Sequence, residues 1–299
     1  MPPIKTIAFI GLGNMGAPMA ARLAAKGFAL TVYDRLEDTA RTFAAAHGGV
    51  RVAANAADAG KGADAVITML PSDAAVREAV LGEGLARALA PGAVVIDMGT
   101  SNPCATVETG RELAARGIGF VDAPVMGGVV FAKDGTLDVM AGGAEVDIER
   151  CMPVFLAVGR QVFRCGELGS GHALKALANY VNAGALVNLI EALAIGRKFG
   201  LATDMMADAL LQMCTGRQHP LEKKVIPQVL THKFATGMAL GLIAKDVAIA
   251  ADFGKSIGAV TPLADRVLEI WRKGEADFGP RADQTEIARL WEEGNGVKL

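Results

Sequence analysis

Short apolar runs alternate with longer amphipathic stretches through the first half of the chain. Runs at Ile4–Ile10, Leu30–Asp34, Ala65–Leu70, Val94–Asp97, Ile118–Val121 and around Leu137–Met140 predict strands. The spacing of apolar positions between them predicts helices, as at Ala17–Lys26 and Asp73–Leu81, and Pro91–Gly92 and Asn102–Pro103 read as turns. Strands without internal polar alternation, separated by helices, imply a parallel sheet covered on both faces. The expectation is a doubly wound α/β domain.

After Gly166–Gly171 the pattern becomes helical. A stretch from about His172 to Phe199 closes at Gly200, a glycine suited to a helix C-cap. It is longer than an ordinary globular helix, so it is expected to connect two domains over about residues 170–199. Further helices are predicted at Asp204–Cys214, Leu242–Ile257 and Leu263–Lys273. The division is an α/β domain over 1–165 and an all-helical domain over 166–299.

Composition narrows the partners. The 299 residues are 52% hydrophobic and 21% charged, enough for packed cores, and 30 Lys and Arg against 32 Asp and Glu leave a net charge of −2. No basic excess exists to neutralise a nucleic acid or to hold an anionic membrane. The longest apolar stretch, Val181 to Gly196, is broken by Asn182, Asn188 and Glu191, so no membrane span is expected. The opening apolar run stops at Gly11, too short for a secretion signal. Cys104, Cys151, Cys165 and Cys214 share no CxxC spacing, and His47, His172, His219 and His232 lack metal-site spacing. No G-x-S-x-G elbow is present. These features point to a cytoplasmic protein with reduced thiols, whose partners are small molecules and copies of itself, with neither nucleic acid nor membrane nor metal.

Gly11-Leu12-Gly13-Asn14-Met15-Gly16 fits G-x-G-x-x-G, follows the first strand and opens the first helix. Glycines here permit a tight turn, close backbone approach to a pyrophosphate and close packing of helix on strand. The helix N-terminus then offers N–H donors to phosphate. Asp34 ends the second strand, where a carboxylate accepts from adenosine ribose hydroxyls and repels a 2′-phosphate, which favours NAD over NADP. Adjacent Arg35 can instead pair with a 2′-phosphate, although a solvated loop charge explains it as well. Met69-Leu70-Pro71 and Thr100 fall at strand C-terminal ends, where cofactors bind in open α/β sheets.

Within the long helix, His172, Lys175, Asn179 and Asn182 share an arc of about 80° on an otherwise apolar surface. This stripe fits a face lining a cleft. It equally fits one hydrated edge along which Lys175 snorkels, and periodicity does not choose between them. Asp122–Gly128 reads as a strand end entering a glycine loop, where the N–H groups of Gly127 and Gly128 can receive a carboxylate.

Taken in order, the opening Gly-Leu-Gly-Asn-Met-Gly-Ala-Pro-Met-Ala, Asp122-Ala-Pro-Val-Met-Gly-Gly128, Gly135-Thr-Leu137, Gly169-Ser-Gly171 with Lys175 and Asn179, and Lys245-Asp246 resemble the β-hydroxyacid dehydrogenase family over essentially the whole chain. That family includes 3-hydroxyisobutyrate dehydrogenase and tartronate semialdehyde reductase. The resemblance implies a Rossmann-like N-terminal domain, a connecting helix, a helical domain that supports a homodimer or homotetramer, and a site in the cleft between domains. It implies hydride transfer between NAD(P) and a small 3-hydroxy carboxylic acid or its semialdehyde. Lys175 is then the general acid–base and Asn179 orients substrate, while Lys245 approaches the cofactor and Asp246 supports the network. The chain departs from the family at Met126, where a substrate-binding serine is usual, at Met238, where many relatives carry Phe, at Ala178, and at Gly99, which replaces a serine before Thr100. Met126 cannot donate a hydrogen bond, so a substrate with an apolar group beside it is expected. Other readings are an imine reductase, against which the retained Lys175 speaks, a phosphogluconate-type decarboxylase, whose relatives are much longer, and a non-catalytic NAD(P)-binding sensor or scaffold.

Overall fold

The computed structural model describes residues 2–214, 220–256 and 262–299. Ile257, the expected end of one helix, and His219 lie outside the described residues. The chain divides into two compact units, Met1–Lys175 and Ala176–Leu299.

The first unit is built on a sheet of nine strands: β1 (Thr6–Ile10), β2 (Ala29–Tyr33), β3 (Arg51–Val52), β4 (Ala65–Thr68), β5 (Val94–Asp97), β6 (Gly119–Asp122), β7 (Val125–Met126), β8 (Leu137–Gly142) and β9 (Gly159–Gly166). The order is β3-β2-β1-β4-β5-β6-β8-β7, with β9 also paired to β8. Pairing is parallel from β3 through β6. Alternate residues feed two cores: Ile7, Phe9, Ile67 and Ile96 on one face, and Ala8, Ile10, Val66 and Val95 on the other. Double-sided burial is why these strands read as unbroken apolar runs.

An entirely parallel sheet was the expectation, and there the structure differs. β8 runs antiparallel to both β6 and β7. Between β7 and β8 lies only the six-residue helix Val129–Asp134, too short for a crossover that would return the chain to the same end of the sheet. Asn102–Pro103 is likewise a helix start rather than a plain turn. The Asn102 side chain accepts from the N–H groups of Cys104 and Ala105, with Pro103 in the first turn of the helix Pro103–Ala114. The expected helix from Asp73 runs to Arg77 and then widens into a π-helix at Glu78–Gly82.

The thirty-residue helix Ser170–Phe199, about 45 Å long at 1.5 Å per residue, continues into the second unit. That unit holds the helices Thr203–Cys214, Leu240–Ser256 and Pro262–Phe278 around a core of Leu186, Ile190, Leu193, Leu240, Val247, Ile287 and Trp271. Trp271 is fully buried, and its Nε1 has no hydrogen-bond partner among the described residues. Its contribution is therefore packing. Trp271→Ala is expected to destabilise the protein by about 3–5 kcal/mol, and Trp271→Phe by clearly less, in urea unfolding followed by circular dichroism.

Candidate functional site

β1 lies between β2 and β4, so the chain leaves β1 on one side and returns to the sheet on the other. Loops at the carboxyl ends of strands separate at such a point and leave a crevice. Gly11, with φ +96°, turns the chain here, its N–H donating to the Tyr33 carbonyl. A Cβ on Gly11 would stand 2.5 Å from the Met69 carbonyl oxygen, and one on Gly16 would stand 1.9 Å from the Gly11 carbonyl oxygen. These two glycines are required by neighbouring backbone. Gly13 is different: a Cβ there would meet nothing within 4 Å, and Gly13 and Asn14 are exposed. The helix Gly16–Ala25, which begins next to Met15, has no side-chain cap. Bare backbone in open space before an uncapped helix N-terminus suits the pyrophosphate of a dinucleotide.

The carboxylate of Asp34 accepts from the Leu12 N–H at 2.7 Å and from the Leu36 N–H at 2.9 Å. The second strand's end thus grips the glycine turn while keeping a negative charge beside it. Arg35 is exposed on the following loop. The segment after β4 packs close to the segment after β5, because a Cβ on Gly99 would lie 2.9 Å from the Leu70 carbonyl oxygen. A side chain at Gly99 would force that carbonyl to shift. Met69, Leu70 and Gly11 are thereby neighbours, with Pro71 following, while Thr100 is half-buried between Gly99 and Ser101.

A row of polar residues ends the adjacent strands: Thr68 pairs in register with Asp97, and Asp97 with Asp122. The buried Asp97 carboxylate accepts from the Thr68 hydroxyl at 3.0 Å, the Gly99 N–H at 3.0 Å and the Ser101 hydroxyl at 2.7 Å. Asp122, also buried, accepts from the Gly169 N–H at 2.7 Å and the His172 N–H at 2.6 Å. It therefore caps the long helix. Burial pushes the Asp122 carboxyl above the ordinary carboxylate range, while His172 and the two N–H groups pull it down. Gly171 lets this turn dock, since a Cβ there would come within 2.2 Å of the Met140 carbonyl oxygen.

His172 corrects the sequence expectation. It shares the polar arc of Lys175, yet it faces no cleft. Its side chain is fully buried, with Nδ1 2.8 Å from the Thr106 hydroxyl and Nε2 3.5 Å from Asp97. Neither the paired aspartates nor the histidine between them was recognised as a unit from sequence. The available signal was Val94-Val95-Ile96-Asp97 beside Phe120-Val121-Asp122, two apolar strands each ending in the same carboxylate.

Lys175, one turn further on, is only 8% exposed, and its Nζ donates to the Met126 sulfur at 3.6 Å. Thus Met126, which lacks a donor, serves as a weak acceptor to the ammonium group. Gly127, at φ +134°, packs so tightly on Phe131 that a Cβ would sit 2.8 Å away, whereas a Cβ on Gly128 would meet open space. In the second unit, the Asn179 amide donates to Asp246 at 2.8 Å, and Lys245 lies 2.9 Å from the other oxygen of that nearly buried carboxylate. Met238 is half-buried against the helical core, and its carbonyl accepts from the Gln284 N–H.

Known proteins share this organisation. Residues 6–166 match the family of the NAD binding domain of 6-phosphogluconate dehydrogenase, and residues 169–291 that of the NAD-binding segment of NADP-dependent 3-hydroxyisobutyrate dehydrogenase. The 2-(hydroxymethyl)glutarate dehydrogenase of Eubacterium barkeri is 32% identical over 98% of this chain and 97% of its own. The NAD-dependent L-serine dehydrogenase of Pseudomonas aeruginosa is 34% identical over 90% of this chain and 92% of its own. A structure of Mycobacterium tuberculosis 3-hydroxyisobutyrate dehydrogenase with L-serine superposes with a TM-score of 0.85 at 32% identity, covering 96% of this chain and 99% of that one.

The two glycine environments separate binding from folding. Gly13→Ala is expected to leave thermal stability within about 0.5 kcal/mol while weakening NAD binding at least about tenfold, or 1.4 kcal/mol. Gly16→Ala is expected to lower the melting temperature outright. Calorimetric titration and melting of the two variants check this.

Proposed function

The chain belongs to the β-hydroxyacid dehydrogenase family, and from that premise we propose that Lys175 is the general acid–base with which it transfers a hydride between NAD(P) and a small 3-hydroxy carboxylic acid or its semialdehyde. The observation that carries this reading is the placement of the Lys175 ammonium, nearly buried and 3.6 Å from the Met126 sulfur, at the loop that leads into Gly127 and Gly128. A lysine that snorkelled along a wet helix edge would extend into solvent. This one is drawn against the protein.

Bound NAD(P) supplies the hydride acceptor or donor. Gly11–Gly16 would hold its pyrophosphate, Asp34 its adenosine ribose, and Met69–Pro71, Thr100 and Lys245 other parts of it. The chain's own residues manage the proton. In oxidation the substrate hydroxyl gives its proton to the neutral Lys175 amine as hydride leaves the same carbon. In reduction the ammonium returns a proton to the developing alkoxide. Asn179, whose amide is fixed by Asp246, orients the substrate hydroxyl or carboxylate. Met126 has no hydrogen to offer a carboxylate, so that group goes to the N–H groups of Gly127 and Gly128, and the thioether takes an apolar substituent.

The Asp34 carboxylate, already holding Leu12 and Leu36 N–H groups, supports preference for NAD over NADP, since a 2′-phosphate would meet a fixed negative charge. Leu174, Leu177 and Val181 are exposed at helical spacing, which supports coverage by a second copy in a homodimer or homotetramer. No helix among the described residues is long and apolar enough to cross a membrane. We place the protein in the cytoplasm, where NAD(P) and short hydroxy acids meet.

Lys175→Ala is expected to lower kcat by at least about a hundredfold with NAD affinity within about twofold, measured by steady-state kinetics on C3–C5 hydroxy acids and semialdehydes. Unchanged turnover removes Lys175 from this role. In the same assay NAD should exceed NADP in kcat/KM, and Met126→Ser should shift preference toward substrates with a more polar substituent.

A further inference from the structure

The helix that carries Lys175 starts on a buried polar cluster to which the proton transfer assigns no part. Asp97 and Asp122 stand side by side on β5 and β6, and His172 reaches both: Nε2 is 3.5 Å from Asp97 and Nδ1 is 3.8 Å from Asp122. All three side chains are fully buried. Uncompensated charge and unmet hydrogen bonds are costly at such depth, so the cluster must be held in one arrangement.

The Thr106 hydroxyl lies 2.8 Å from His172 Nδ1 and 3.1 Å from the Asn102 carbonyl, so it bridges the imidazole to the turn that starts the Pro103–Ala114 helix. The backbone N–H of His172 is meanwhile held by Asp122. One residue thus has two tethers: Asp122 sets where the helix begins along its axis, and Thr106 sets the rotation of the first turn.

We propose that His172 is a positioning residue for Lys175, fixing the rotation of the helix's first turn so that the lysine Nζ is delivered to the Met126 loop. Lys175 lies three residues on, about 4.5 Å along the axis, so any twist of the first turn moves its long side chain. Gly169 and Gly171 remove the alternatives on the other side: a Cβ on Gly169 would come within 3.0 Å of the Pro103 carbonyl oxygen, and one on Gly171 within 2.9 Å of the Asp122 carbonyl oxygen. The turn is pressed against the sheet with no slack, and the imidazole ties it to the Pro103–Ala114 helix through Thr106.

This inference rests on Lys175 as the acid–base, so Lys175→Ala is assayed alongside. His172→Leu keeps apolar bulk and deletes the Thr106 bond, whereas His172→Gln keeps an amide, donor and acceptor both, that can reach the Thr106 hydroxyl. With NAD and the best hydroxy acid of the C3–C5 panel, His172→Leu should lose about ten- to a hundredfold in kcat, the loss expected when a reacting group is misplaced by about 1 Å. NAD affinity and substrate KM should stay within about twofold, and His172→Gln should recover kcat to within about threefold of the parent. Thr106→Val, which removes the same bond from the other side with little change in volume, should lower kcat in the same direction and decides the matter if His172→Leu does not fold. Parental kcat in His172→Leu or in Thr106→Val overturns the proposal. So does a loss that His172→Gln fails to restore. If Lys175→Ala itself turns over normally, the acid–base reading falls first, a result distinct from any of these.

Discussion

The carboxylate of Asp122, buried at the end of β6, receives the first N–H groups of the helix Ser170–Phe199. A helix N-terminus leaves its first amides without internal partners, and a buried carboxylate cannot lose water without replacing those hydrogen bonds. Each group meets the other's requirement, which ties the start of the helix to the sheet. From this contact follow the glycines at 169 and 171, where backbone passes backbone too closely for any side chain. The burial of His172 and the depth at which Lys175 emerges follow from it as well.

The two helices that start at this edge of the first unit make an instructive contrast. The helix at Ser170 is capped by the protein's own carboxylate. The helix at Gly16 has no side-chain cap, and the glycine before it at 13 faces open space. The same electrostatic demand is met internally in one case and left available to an incoming anion in the other. Asp34 joins the two roles, accepting from the Leu12 N–H while placing its own charge next to the turn. A carboxylate fixed at that point makes the turn's surroundings negative on one side and leaves its bare amides open on the other.

Around Lys175 the chain pairs an ammonium with a thioether. Sulfur accepts weakly and donates nothing, so Met126 can steady the lysine without offering a substrate carboxylate a hydrogen bond. Asn179 owes its orientation to the carboxylate of Asp246, itself beside Lys245, so the Lys-Asp pair is more than a surface ion pair.

Local pattern alone was enough for the α/β half, the helical half and the long helix between them, because double-sided burial forces unbroken apolar strands and helix faces repeat every few residues. It was also enough for the glycine turn, whose residues are contiguous and whose chemistry is carried by the backbone. The reversal of β8 lay beyond it, since direction depends on whether the connection can cross the sheet. So did the Asn102 cap and the need for glycine at 99, which depend on hydrogen bonds and neighbouring backbone that appear only once the strands are side by side. The meeting of Asp97, Asp122 and His172 was least legible of all. Residues far apart in sequence became one polar cluster through strand register, and His172, which shares a polar arc with Lys175 on paper, was turned inward because buried carboxylates leave their partners no choice of direction.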